Sequence, residues 1–156
     1  MLPDLRDEIE VEFCLIGRLL EESADLRRNA RHTAPNKNET VVLASVLHSF
    51  YTGVENLLNR IITHVDGKSP QGRFWHRDVL LRMARCERQR PAIISEELRI
   101  ILSDYLHFRH MFRHAYAFEL KWTRMAPLVE GIEDTFARLQ REVRLYSESN
   151  DETEHG

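Results

Sequence analysis

Residues 38–65 of the chain read NETVVLASVLHSFYTGVENLLNRIITHV. Seven apolar residues in this stretch recur at intervals of three or four, the spacing that places side chains on one face of an α-helix. They are Leu43, Leu47, Phe50, Val54, Leu57, Ile61 and Val65. The stretch therefore predicts a long amphipathic helix whose apolar face is buried, and it is the most regularly patterned part of the chain.

The same periodicity predicts further helices on both sides of this one. Their expected bounds are about Pro3 to Ala30, Phe74 to Cys86, Ser95 to a point between Tyr116 and Glu119, and Thr123 to Tyr146. In the first of these helices Arg27 falls on the side that we expect to be exposed. Ser95 is a good N-cap, because Glu96 and Glu97 follow it in the first helical turn.

The fold that these helices predict is all-α. Alternating β-branched runs bounded by tight turns are absent from the sequence, so no strand pattern competes with the helices. We expect a single up-and-down bundle of four to five helices over residues 1–147. Residues 148–156 are acidic and contain no large apolar side chain, and they are expected to form a disordered tail.

The charge of the chain excludes some modes of nucleic-acid binding. Its 156 residues include 22 lysines and arginines and 25 aspartates and glutamates, which gives a net charge of −3. A mildly acidic protein does not coat nucleic acid by overall attraction, so any RNA contact must be local. Only three of the 22 cations are lysines. The planar fork of arginine suits phosphate, although a GC-rich coding sequence produces the same bias.

The cellular location is expected to be the cytoplasm. Cys14 and Cys86 are not spaced as metal ligands, and the acidic residues among the first twelve do not fit a secretory signal. The longest uncharged runs fall well short of the roughly 18 apolar residues that a membrane span requires. The sequence therefore predicts no membrane partner.

One stretch of the chain concentrates residues that suit chemistry. Residues 106–116 read LHFRHMFRHAY and hold three of the eight histidines, two arginines and a tyrosine. Histidine exchanges protons near neutral pH, and arginine holds a phosphate oxyanion. Cleavage of RNA without a metal needs these two groups: a base removes the proton of a ribose 2′-hydroxyl, and a cation stabilises the phosphorane that leads to a cyclic phosphate.

The helical positions of these residues limit how they can act together. On an ideal helix the two arginines and Tyr116 share one arc, and the three histidines share the adjacent one. Arg109 and His114 are then roughly 140° apart. They converge only if the helix is bent or interrupted, or if a partner chain closes the cleft. We favour closure by a homodimer.

Two other interpretations of this stretch remain open at the level of the sequence. Arginine and histidine beside phenylalanine also suit the polar rim of a dimer interface. Alternatively, three histidines on one face, with Asp104 one turn earlier, have a spacing that suits zinc or iron. No matching carboxylate and histidine motif occurs on another helix, and we predict a site without a metal or other cofactor.

Residues 109–116, RHMFRHAY, resemble the motif of HEPN-superfamily ribonucleases, in which arginine and a polar residue precede three others, a histidine, any residue and a tyrosine. More narrowly, they resemble the HepT-type toxins of prokaryotic toxin–antitoxin pairs. Phe108, residues 118–122 (FELKW) and residues 53–58 (GVENLL) also look like the HepT-like branch. The resemblance covers most of the chain.

The resemblance implies a function and a role for each motif residue. Arg109 and His114 correspond to the catalytic pair of a metal-independent endoribonuclease, and His110 to the polar residue that assists them. Tyr116 matches the tyrosine that a partner minimal nucleotidyltransferase, the antitoxin, modifies with AMP to silence the toxin. Such proteins act as homodimers on RNA, either tRNA or mRNA, in a type VII-like system. Some HEPN proteins are instead non-catalytic subunits that bind a nucleotidyltransferase.

A basic segment precedes the motif. Residues 73–90 contain six arginines and two acidic residues, a composition that suits either guidance of RNA or a solvated helix face. The candidate RNA contacts are Arg77, Arg82 and Arg113. Phe74 and Trp75 either stack on a base or cover the core, and Glu55 either contacts the motif or is exposed to solvent.

Overall fold

The computed structural model describes residues 3–88 and 90–154 of the chain. Within these residues six α-helices follow one another, with a short 3-10 helix at Ala117–Glu119 and no β-strand. The α-helices are α1 (Pro3–Glu22), α2 (Ala24–His32), α3 (Lys37–Asp66), α4 (Trp75–Met83), α5 (Glu96–His114) and α6 (Trp122–Glu154). They pack into one bundle around a shared apolar core, which confirms the predicted all-α bundle.

Helix α3 is the centre of the bundle and contacts all five other helices. Six of the seven residues predicted to form its apolar face are fully buried, and Val65 at its end is partly buried. A capping box starts the helix: the Asn36 side chain accepts from the Glu39 backbone N–H at 2.8 Å, and the Glu39 side chain accepts from the Asn36 N–H at 3.0 Å. Gly67 ends it with a φ of 85°, which glycine adopts without strain.

The length and composition of α3 would also allow it to cross a membrane, the one helix in the described part of the chain for which this holds. Core helices of soluble proteins pass the same test, and 56% of the most apolar window of α3 is buried inside the bundle. The burial fits a core helix.

The first predicted helix is divided in two at Ser23. The Ser23 hydroxyl donates to the Leu19 carbonyl at 2.9 Å, and Arg27 Nη2 donates to the Leu20 carbonyl at 2.7 Å. These polar groups compete for the carbonyls at the end of α1, and such competition bends helices. The prediction that Arg27 is exposed was wrong: it is 6% exposed, and it also forms an ion pair with Glu133.

The helices that frame the motif end earlier than predicted. Helix α4 stops at Met83 instead of Cys86, because the chain turns there and the Arg90 side chain donates to the Arg82 carbonyl at 3.3 Å. Helix α5 stops at His114 and does not continue to Tyr116. The predicted N-cap is confirmed: the Ser95 side chain accepts from the Leu98 N–H.

The last helix is longer than predicted. Helix α6 runs to Glu154, so residues 148–154 are helical and the prediction of a disordered tail was wrong for them. Residues 155–156 lie outside the part of the chain that the structure describes. Arg6 of α1 forms an ion pair with Asp151, and Arg144 forms one with Glu10. These pairs hold the end of α6 against α1, and the local composition alone did not indicate them.

Candidate functional site

The motif lies at the C-terminal end of α5. Four residues on the inner face of α5 hold the helix in the core: Leu98, Leu102, Tyr105 and Phe108. The Tyr105 hydroxyl also donates to the Leu128 carbonyl of α6 at 2.7 Å. This packing directs the following turn, with Arg109, toward α3 and leaves His107, His110 and His114 exposed.

Arg109 is held against the centre of the bundle. Its Nη1 donates to Oε1 of Glu55 on α3 at 2.9 Å, and only 13% of the Arg109 side chain is exposed. Glu55 itself is 5% exposed. Of the two interpretations of Glu55, contact with the motif is confirmed, because the α3 face that carries Glu55 packs against α5 and not against solvent.

The other oxygen of Glu55 is bound by a histidine that the sequence did not single out. His76 on α4 places its Nδ1 2.6 Å from Glu55 Oε2. An ionised carboxylate can only accept, so Nδ1 carries the proton in this contact. The His76 ring also lies 3.7 Å from the ring of its neighbour Trp75. Glu55 therefore joins α3, α4 and α5, which lie far apart in the sequence.

Arg109 has a buried donor that the contact with Glu55 does not use. Its Nε is buried and has no hydrogen-bond partner within the residues that the structure describes. Buried polar atoms are almost always hydrogen-bonded, so an orphaned donor is a place where an acceptor fits. The Nε and Nη2 atoms form the edge of the guanidinium that pairs with two oxygens of a phosphate.

Two further titratable residues of α3 face Arg109. Burial, together with the positive charges of Arg109 and Arg113, lowers the pKa of His48, whose ring packs 5.4 Å from that of Phe112. Burial and the nearby Glu55 raise the pKa of Tyr51. Both residues are therefore neutral near pH 7, and Glu55 supplies the negative charge beside Arg109.

The predicted catalytic histidine faces away from Arg109. Helix α5 is continuous from Glu96 to His114, so neither side chain is turned by an interruption. The His114 ring lies 5.2 Å from that of His110, and both are exposed to solvent. One protomer thus places Arg109 on the α3 side of the helix and His114 on the solvent side.

Tyr116 follows the end of α5 and is exposed to solvent. Its side chain is 69% exposed. The ring stacks on Phe118 at 5.4 Å with an interplanar angle of 4°, and Phe118 is 82% exposed. Two stacked aromatic rings facing solvent form a surface that a large partner or a nucleotide can reach.

The three candidate RNA contacts differ in their exposure to solvent and in the groups that they contact. Arg113 and Arg77 are exposed, and the Arg77 guanidinium lies 5.1 Å from the centre of the Phe74 ring. Phe74 is more than half exposed, so it does not cover the core. Trp75 is partly buried and packs against the core. Arg82 lines a surface pocket of about 350 Å³ and donates to the Lys68 carbonyl.

The structure does not assemble the alternative metal site. Among residues 3–88 and 90–154, no group of three or more histidine, cysteine, aspartate or glutamate side chains is placed to hold a metal ion. Of the three motif histidines, only His110 and His114 are recorded with their rings in contact.

A helical bundle with this arginine, histidine and tyrosine motif at the end of a core helix is a protein of the HEPN class. A family model described as "HepT-like protein" matches residues 42–150, more than two thirds of the chain. The chain belongs to the HepT-like family. The matched range begins near the start of α3 and includes Glu55, His76 and the whole motif. Neither a curated protein sequence nor a solved structure matches the chain.

Family membership makes this a toxin-related HEPN-type protein and implies a toxin–antitoxin partnership. The family identified from residues 109–116 is thus confirmed.

Proposed function

We propose that the chain is a metal-independent endoribonuclease, the toxin of a type VII-like toxin–antitoxin pair in the cytoplasm. The observation that supports this most is Arg109. Its guanidinium is fixed by Glu55, keeps a buried donor that has no partner among residues 3–88 and 90–154, and lies at the same end of α5 as the exposed His114. A fixed cation and an exposed imidazole are the two kinds of group required to move a phosphate from the 5′-oxygen of one nucleotide to the 2′-hydroxyl of its neighbour.

The reaction follows from the roles of these groups. His114 takes the proton of a ribose 2′-hydroxyl, and the freed oxygen attacks the adjacent phosphorus. Arg109 stabilises the charge that builds on the phosphorane oxygens. The bond to the 5′-oxygen breaks, and that oxygen takes up a proton. The products are a 2′,3′-cyclic phosphate and a 5′-hydroxyl, and His110, in contact with His114, holds the imidazole in place.

A second copy of the chain completes this site. Arg109 and His114 occupy different sides of one uninterrupted helix, so a single protomer does not bring both to one phosphate. We propose a homodimer in which the two motifs face each other across a cleft. RNA, whether tRNA or mRNA, is then guided by Arg113, Arg77 and Arg82, the first two of which are exposed.

The test of catalysis is cleavage of RNA by purified protein in EDTA. We expect cleavage by the wild type and by His107→Ala, a matched control because His107 is exposed on the same helix. His114→Ala should be inactive. Equal activity of the wild type and His114→Ala, or activity that EDTA abolishes, would disprove this mechanism.

Silencing of the toxin is proposed to occur at Tyr116. The phenol oxygen attacks the α-phosphate of ATP bound by the nucleotidyltransferase antitoxin, and pyrophosphate leaves. The added phosphate repels RNA and engages the arginines of the cleft. The exposure of Tyr116 supports this site, and Tyr116→Phe keeps the ring while removing the acceptor oxygen. The intact mass should rise by AMP units in the wild type only; an equal rise in Tyr116→Phe would reject Tyr116.

The second candidate is a non-catalytic subunit that binds the nucleotidyltransferase through the same surface. The observation in its favour is the pairing of Arg109 with Glu55, which neutralises the arginine in the free protein. This candidate predicts a complex with the nucleotidyltransferase, no ribonuclease activity and no growth defect. The enzyme predicts a growth defect that requires both Arg109 and His114.

A further inference from the structure

Three helices meet at one buried carboxylate. Glu55 of α3 accepts from Arg109 of α5 through Oε1 and from His76 of α4 through Oε2. Because Glu55 is 5% exposed, water does not compete strongly for either oxygen. Each oxygen thus has one partner on a different helix, and the position of Arg109 depends on both contacts.

The contact with Glu55 determines which edge of Arg109 remains available. Glu55 binds Nη1, the nitrogen that is not part of the Nε–Nη2 edge. Nε is buried without a partner in the structure. Two parallel N–H groups on this edge match two oxygens of one phosphate, so the guanidinium can keep Glu55 and bind an anion at the same time once the side chains that cover Nε move aside.

We infer that Glu55 and His76 are positioning residues that present the Nε–Nη2 edge of Arg109 to an RNA phosphate. The inference rests on the proposed ribonuclease function and assigns a role to a residue of α4 outside the motif. His76 acts through Glu55, since it fixes the carboxylate oxygen that Arg109 does not use. Without His76, the Glu55 carboxylate can rotate, and the guanidinium loses its fixed direction.

Other titratable and charged groups lie near this contact. Helix α3 supplies Tyr51, near Glu55 and Arg109, and His48, near Arg109, and the shifts of their pKa values leave both neutral near pH 7. Helix α5 supplies the positive charges of Arg109 and Arg113. His76 therefore acts as the hydrogen-bond donor that α4 contributes to Glu55.

The direct test observes the Nε–H group of Arg109 by NMR. The protein is the full chain with His114→Ala, so that the RNA is not cut, and the probe is a single-stranded oligouridylate. The Arg109 signal is assigned by its loss in Arg109→Lys. Binding of a phosphate oxygen should move the Arg109 Hε resonance downfield in His114→Ala, and the shift should disappear when His76→Ala is added. An unchanged Arg109 Hε resonance at saturating RNA would overturn the inference.

The kinetic test separates positioning from a general loss of structure. His76→Ala should lower kcat for RNA cleavage roughly tenfold, the size expected for one lost charge-assisted hydrogen bond, with KM changed by less than about twofold. His76→Asn should restore most of kcat, because its amide nitrogen takes the place of Nδ1. The matched control is Asp66→Asn, which breaks the other buried arginine–carboxylate pair of α3, with Arg90, and should leave kcat unchanged.

The two tests keep the inference and the proposed function distinct. If the Arg109 resonance moves with RNA but the wild type does not cleave RNA, the ribonuclease proposal fails and the phosphate-binding edge stands. If cleavage requires His114 but His76→Ala and His76→Asn both cleave at the wild-type rate, the ribonuclease stands and the positioning role is wrong.

Discussion

Replacement of Arg109 by alanine should destabilise the fold as well as abolish activity, a result that matters for any test of the motif. The change removes the cation bound to Glu55. The buried carboxylate then keeps its hydrogen bond with His76. Loss of one member of a buried ion pair costs about 3–5 kcal/mol when both charges are fully enclosed. Arg109 is 13% exposed and His76 remains, so we expect a smaller loss, about 2 kcal/mol.

This loss is large enough to measure and too small to unfold the protein. A domain of this size has a free energy of unfolding of about 10 kcal/mol, so most Arg109→Ala molecules stay folded. With a urea m-value of about 2 kcal/mol/M, the unfolding midpoint should fall by about 1 M. Far-UV circular dichroism is a suitable probe because the described residues are largely helical.

A double variant distinguishes the buried charge from general loss of contacts. In Arg109→Ala/Glu55→Gln no unpaired charge remains, and about half of the lost stability should return while RNA cleavage stays absent. Arg113→Ala is the control, since this exposed neighbour should change stability by less than about 0.5 kcal/mol. An Arg109→Ala midpoint equal to that of the wild type would refute the reasoning, as would a double variant less stable than Arg109→Ala.

Three other perturbations test the fold and the RNA surface. Arg90 lowers the pKa of Asp66, so the pair stabilises the protein at neutral pH and this contribution disappears as the pH falls through the folded-state pKa of Asp66. Asp66→Asn should therefore cost about 2 kcal/mol at pH 7, and the difference from wild type should shrink below about pH 4. Asn36→Ala should cost about 1 kcal/mol in urea unfolding through loss of the α3 cap. Arg77→Ala should lower the salt dependence of RNA binding by about one unit of slope, whereas Arg141→Ala, at an exposed position of α6 outside the motif, should not.

Each of these expectations has a clear contrary result. A stability difference for Asp66→Asn that is the same at acidic and neutral pH would show that its pairing with Arg90 does not cause it. An Asn36→Ala protein as stable as wild type would mean that the capping box contributes nothing. Equal salt slopes for Arg77→Ala and the wild type would remove Arg77 from the RNA-binding surface.

The pairing of Arg109 with Glu55 changes how the motif is understood. A free arginine would bind any nearby anion, whereas a paired and largely buried arginine binds an anion only along its unused edge. This arrangement suits the proposed ribonuclease, because selectivity for a correctly placed phosphate limits binding to other anions. It also explains why a variant of Glu55 or His76, neither of them in the motif, is expected to affect catalysis.

Local pattern predicted the helices of this protein but not where polar side chains interrupt them. The apolar period located α3 to within a residue at each end. It missed the break at Ser23, which depends on where a hydroxyl and the Arg27 guanidinium meet the α1 carbonyls. It also missed the helix over residues 148–154, where the ion pair of Asp151 with Arg6 of α1 holds a segment of weak local preference.

By itself the sequence determined the all-helical class, the family and the motif, because periodicity and a contiguous run of residues are local properties of the chain. The tertiary structure alone decided that Arg109 faces Glu55, that His76 binds the other oxygen, and that His114 faces solvent. These contacts join residues 21 and 54 positions apart. They depend on how α3, α4 and α5 pack against one another. Helical periodicity predicts which face of each helix is buried, but it does not predict which other helix packs against that face.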